Sequence, residues 1–110
     1  MNRDSSLYIK DILNCIQNIE DFIAEMSYDE FASDIKTSSA VIRQLEIIGE
    51  ASKNIPSDMR HQYENVPWSD MARMRDKLIH FYFGVDYEIV WKVIRLQLPK
   101  IKESFSKPHL

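Results

Sequence analysis

Four polar residues in the stretch Trp68–Tyr87, WSDMARMRDKLIHFYFGVDY, have the types and spacing to do chemistry: Arg75, Asp76, His80 and Tyr82. Histidine changes charge near neutral pH, so it can take or give a proton. Arginine can hold a phosphate through two parallel hydrogen bonds and stabilise charge that develops on it. Together they suffice for metal-free cleavage of RNA. A base removes the 2′-OH proton, that oxygen attacks the adjacent phosphorus, and the guanidinium steadies the pentacoordinate oxyanion. A tyrosine at position 82 can stack on a base or contact the phosphate.

Other chemistries find little support. No glycine-rich phosphate loop and no Cys/His array for zinc occur, and His61, His80 and His109 share no ligand spacing. The serines lack the context of a nucleophile elbow. Glu46 and Glu50 lie one helical turn apart and therefore side by side. Paired carboxylates can do acid–base work, hold a metal, or form a salt-bridged surface; here they can also reach Arg75 from a neighbouring helix. A metal site would need a third ligand, and the spacing places none beside the pair.

Arg75 is in an unusual place. With about 100° per residue and Arg75 at zero, Trp68 falls near +20°, Met71 near −40°, Ala72 near +60°, Leu78 near −60° and Ile79 near +40°. The wheel thus sets a guanidinium at the centre of an apolar stripe, where it is costly to bury unpaired. Either a carboxylate from elsewhere meets it, or it lines a wet cleft where an anion binds. The same wheel puts His80 about 140° from Arg75. To share a site, the helix must loosen near Ile79, the two must face one cleft at different depths, or a symmetric dimer must bring two Arg/His pairs together across its axis.

The elements that carry these residues are helical. Ile9, Ile12, Leu13, Ile16, Ile19, Ile23 and Met26 repeat at spacings of three and four, which predicts a helix from about Ser5 to Met26, capped by Ser5 or Ser6 with Asp4 nearby. Asp29–Asp34 is one extra turn or a link. A second long helix is expected from about Thr37 to Asn54, burying Val41, Leu45, Ile48 and Ser52, with Gly49 permitting close packing. Pro56 suits the first turn of a short helix through about Tyr63. The Trp68 helix then ends at Phe83-Gly84-Val85. Asp86 caps a last helix whose buried face is Tyr87, Val90, Trp91, Ile94, Leu98, Ile101 and Phe105, kinked or split near Leu98 by Pro99. Trp91, Phe81 and Phe83 belong to the core or to a subunit interface. The fold class is all-α: one domain over residues 1–110, an antiparallel bundle of four main helices plus a short one.

Composition agrees. The 110 residues are 45% hydrophobic with two glycines and four prolines, too few turn residues for a β-sandwich. The net charge of −3 is unevenly spread: residues 1–66 hold 6 Lys/Arg against 12 Asp/Glu, residues 67–110 hold 8 against 5. The basic part contains Arg75, a weak pointer to an anionic ligand that chance would equally produce. The lone Cys15 allows no internal disulfide and reads as core packing. Neither a signal peptide nor a membrane span is apparent, so a soluble, cytoplasmic protein is expected.

From spacing alone, Arg-x4-His is a weak signal that many helices carry. The run RDKLIHFYFGVDYEIVW adds more: it resembles the signature of the HEPN superfamily, in particular the HepT-like toxins. Their motif, Arg-x4-His-x-Tyr in this subgroup, matches Arg75, His80 and Tyr82, and Asp76 matches the polar residue usual after the arginine. AVIRQLEIIGEASKNIP and VPW resemble the same family, so the similarity covers most of the chain. The resemblance implies a helical homodimer with both motifs lining a shared cleft. It implies a metal-independent endoribonuclease toxin of a type VII-like toxin–antitoxin pair, without a cofactor of its own. His80 would be the acid/base, Arg75 the phosphate clamp and Asp76 a supporting residue. The implied partner is a minimal nucleotidyltransferase antitoxin that uses ATP to add AMP to Tyr82. The alternative is a non-catalytic helical module that binds a nucleotidyltransferase or a nucleotide, with Arg75 held by Glu46 or Glu50.

Overall fold

The computed structural model describes residues 4–80 and 86–106, with the backbone alone for 77–80. In chain order the elements are α1 (Ser5–Ile23), α2 (Tyr28–Ser33), α3 (Ile35–Lys53), α4 (Ser57–Gln62), α5 (Trp68–His80), α6 (Tyr87–Lys92), a π-helical stretch (Val93–Gln97) and α7 (Leu98–Phe105). The all-α expectation holds, and the described residues contain no strand. α1, α3, α5 and the composite α6–α7 rod are the main elements; α2 and α4 are short.

α3 is the central helix, with α1 along one side and α5 along the other. Its apolar spacing explains this. Val41, Leu45 and Ile48 are fully buried, and Ser52 is buried too because its hydroxyl donates to the Ile48 carbonyl at 2.7 Å. Ile12, Ile16 and Ile19 of α1 are likewise inaccessible. Burying each such side chain stabilises the fold by about 1.5–3 kcal/mol before chain entropy is counted. Cys15 lies in this α1–α3 core, and burial pushes its thiol up to about 11, with Asp11 adding to the shift and Arg43 opposing it. A thiol in that state is a packing group, not a nucleophile.

Three helix ends differ from the sequence reading. The cap of α1 is Asp4, whose carboxylate accepts from the Ser6 N–H at 3.0 Å, rather than Ser5 or Ser6. The helix stops at Ile23, not Met26, because Ala24 takes φ 41° and turns its N–H to the Glu20 carbonyl. That positive-φ stop carries no glycine, so nothing in the sequence announced it. Asp29–Asp34 resolves into α2, closed by a Ser27–Glu30 capping box. The start of α3 lies at Ile35, two residues before the expected Thr37, because Asp34 caps it through the Thr37 N–H and hydroxyl.

Asp86 caps α6 as expected, accepting from the Glu88 and Ile89 N–H groups. Pro99 has no N–H to donate and crowds the turn before it. The helix answers with the π-helical stretch ahead of α7, where the Leu98 N–H reaches back five residues to the Val93 carbonyl. The buried face survives this change of pitch: Val90, Ile94, Leu98, Ile101 and Phe105 are all in the core. Trp91 is half-buried core, tilted against Phe31 at 5.1 Å with Arg95 over its ring. Phe81 and Phe83, and the expected stop at Phe83-Gly84-Val85, lie outside the described residues.

Candidate functional site

The site is built where α5 crosses α3, and Gly49 sets how close they come. A Cβ on Gly49 would stand 2.5 Å from the Arg75 Cβ, 3.0 Å from its backbone nitrogen and 3.1 Å from the Met71 carbonyl oxygen. Only a residue without a side chain allows this approach. Among the α5 residues whose side chains are described, Trp68, Met71 and Met74 are buried, with Met71 inaccessible. The side chains of Leu78 and Ile79, which the helical wheel set on either side of Arg75, lie outside the described residues. Arg75 itself is partly buried. Its Cβ lies against α3, while its side chain runs outward and is 36% exposed.

An open groove of about 390 Å³ lies between α1, α3 and α5, with Tyr8, Arg43, Glu46, Glu50, Asn54 and Arg75 on its walls. The two glutamates have different partners. Glu50 forms an ion pair with Arg75, its Oε2 3.1 Å from Nε, and Glu46 pairs with Arg43 of its own helix at 3.3 Å. The carboxylate proposed for Arg75 is thus Glu50 and not Glu46. Glu50 is itself 57% exposed, so this pair is a wall of a wet groove rather than a sealed core pair. Among the described residues no group of His, Cys, Asp or Glu is placed to hold a metal ion.

Asp76 brings in a residue that sequence reasoning missed. Its Oδ1 accepts from Lys53 Nζ of α3 at 2.8 Å and lies 3.6 Å from Arg75 NH1. The Lys53 hydrogen bond is the largest influence on Asp76 and holds its carboxyl below the usual carboxylate range; partial desolvation works against it, and Arg75 adds to it. The available signal for Lys53 was its place one turn beyond Gly49, where the helix that Gly49 brings close must also meet α5.

The backbone of α5 stays helical through His80. A loosened turn near Ile79 is therefore not how residues 75 and 80 come to share a site, and they remain about 140° apart around the helix. The His80 side chain and all of Tyr82 lie outside the described residues. His61 is exposed on α4, away from the groove, and His109 also falls outside the described residues.

The family described as Ribonuclease HepT-like matches residues 12–107. The chain belongs to this HepT-like family of the HEPN superfamily. It is 50% identical to "Probable ribonuclease HepT" of Thermococcus cleftensis, over 97% of this chain and 97% of that protein. It is 51% identical to a protein of Methanocaldococcus jannaschii provisionally named as an RNase, over 92% of this chain and 84% of the other. A second such protein of that organism is 47% identical over 96% and 90%. No solved structure matches. The matched stretch contains both helices of the Gly49 crossing and the whole run from Arg75 to Tyr82. No helix among the described residues is long and apolar enough to cross a membrane.

Proposed function

We propose that this protein is a metal-independent endoribonuclease, the toxin of a toxin–antitoxin pair. The observation that carries the reading is the Arg75 guanidinium. Within a chain of the ribonuclease HepT-like family, it stands half exposed on a groove wall, oriented from the Nε side by Glu50. A guanidinium held at Nε still presents its terminal nitrogens to a phosphate. In the proposed reaction His80 takes the 2′-OH proton, and the 2′-oxygen attacks the adjacent phosphorus. Arg75 stabilises the pentacoordinate oxyanion. The bond to the 5′-oxygen breaks, and that oxygen leaves with a proton from an imidazolium. The products are a 2′,3′-cyclic phosphate and a 5′-hydroxyl. Because residues 75 and 80 diverge around one regular helix, a homodimer that pairs two copies of α5 at a shared cleft is the arrangement that suits the chemistry.

Regulation follows from the same site. A nucleotidyltransferase partner would let the Tyr82 oxygen attack the α-phosphorus of ATP, with pyrophosphate leaving. Each AMP added places a negative phosphodiester and a bulky nucleoside where the RNA phosphate must sit. The tests are direct. RNA incubated with the purified chain in EDTA is expected to give ends carrying 2′,3′-cyclic phosphate. Arg75→Ala and His80→Ala are expected to lose cleavage and to relieve growth arrest; variants as toxic as wild type would remove the assignment. Intact mass after co-expression with a neighbouring nucleotidyltransferase gene should rise by AMP units that map to Tyr82.

The Arg75–Glu50 ion pair also suits a second reading, a non-catalytic module that binds a nucleotidyltransferase. That reading predicts a stable complex with the partner and no cleavage of any RNA by the purified dimer.

A further inference from the structure

The family motif contains Arg75 and Asp76, but the α3 residue that contacts Asp76 lies outside it. Four charged groups meet at the α3–α5 crossing. Arg75 Nε is 3.1 Å from Glu50, and Arg75 NH1 is 3.6 Å from Asp76. With only these three, one cation would face two carboxylates, and the cluster would carry net negative charge at the point where a phosphate must bind. Lys53 changes the balance. Its ammonium lies 2.8 Å from the Asp76 Oδ1, the same oxygen that faces Arg75, and so has the closer claim on it. The four groups then sum to zero.

We propose that Lys53 is a positioning residue of this site: it holds and neutralises Asp76, so that Asp76 orients Arg75 without competing with a phosphate for it. The proposal rests on the ribonuclease reading of the Arg75 site. The geometry that permits it is local. Lys53 lies one turn beyond Gly49, and Asp76 directly follows the residue whose Cβ faces Gly49, so the closest approach of the two helices fixes the reach of the pair. The Lys53 side chain is 35% exposed and that of Asp76 48%, so water screens their attraction. The effect on phosphate binding is therefore several-fold, not orders of magnitude.

The test is a double-mutant cycle on the full-length chain with Lys53→Met, Asp76→Asn and the double variant, plus Lys53→Arg. Steady-state cleavage of an RNA oligonucleotide is read as KM and kcat. In parallel, inorganic phosphate is titrated while the Arg75 side-chain Nε–H signal is followed by NMR. Lys53→Met should raise KM and weaken phosphate binding at Arg75 several-fold, with kcat little changed and Lys53→Arg restoring both. In the Asp76→Asn background the same substitution should have little effect. An equal loss in both backgrounds overturns the proposal, since Lys53 would then act on the ligand directly; so does no loss in either. If the wild-type chain cleaves no RNA, the ribonuclease reading fails, and the phosphate titration still decides the role of Lys53 on the same criteria.

Discussion

Replacing Gly49 with alanine tests the contact on which the site is built. Alanine is the better helix former by about 1 kcal/mol, so at an ordinary helical position the change would stabilise α3. Here the new Cβ would sit 2.5 Å from the Arg75 Cβ, with the Arg75 nitrogen and Met71 oxygen close behind. Carbon atoms pack at about 3.5–4.0 Å, so α3 and α5 must part by about 1 Å. The obstructing atoms belong to backbone, or to a Cβ fixed to it, and no rotamer change removes them. Overpacking of this kind costs about 1–3 kcal/mol, and three simultaneous short contacts put Gly49→Ala at the upper end. After the propensity gain, a net loss of about 2 kcal/mol remains, which for a domain of this size is a midpoint about 8 °C lower. The measurement is thermal and urea unfolding of Gly49→Ala beside Ser39→Ala, an exposed position of the same helix that should show the propensity gain alone. A Gly49→Ala protein that unfolds at or above the wild-type temperature would refute the close crossing and everything positioned by it.

Glu50→Gln keeps a side chain of the same size and an oxygen beside Arg75 Nε while removing a negative charge from the groove. At about 6–8 Å in water-like surroundings that charge opposes a phosphate by about 0.5–0.7 kcal/mol, so affinity for an uncleavable 2′-O-methyl RNA should rise about two- to threefold at low salt. Unchanged or weaker binding in fluorescence anisotropy would place the RNA phosphate elsewhere. Ala24→Gly should stabilise the fold by about 1 kcal/mol, because the φ of 41° strains any residue with a Cβ; no rise in the urea midpoint would contradict that backbone. The Asp34 carboxyl is held below its ordinary 3.8 by the Thr37 N–H and hydroxyl. A depressed folded-state value means that its contribution is complete above 3.8 and lost as pH falls through the lowered value. Thermal midpoints should therefore fall in acid, and the fall should be shallower for Asp34→Asn; identical acid profiles would show that Asp34 does not carry the effect.

The sequence by itself determined the helices and most of the core. Apolar residues at spacings of three and four can be buried together only on a helix face, and Val41, Leu45, Ile48, Val90, Ile94 and Leu98 are buried as that spacing required. It also exposed Arg75 as an anomaly, and the run from Arg75 to Tyr82 was enough to suggest the family. What it could not determine was which way the anomaly pointed. A helical wheel knows only the residues of one helix, so it left Met74, which is buried, off the apolar stripe. How far the Arg75 side chain is buried depends on how closely a second helix approaches, and Gly49, 26 positions earlier, sets that distance. The same tertiary contact chose Glu50 over Glu46 as the partner of Arg75 and brought Lys53 to Asp76. Choices of this kind concern which side chains from separate helices lie within about 3 Å of each other. Periodicity along one helix carries no information about them; the packing of α3 against α5 decided them.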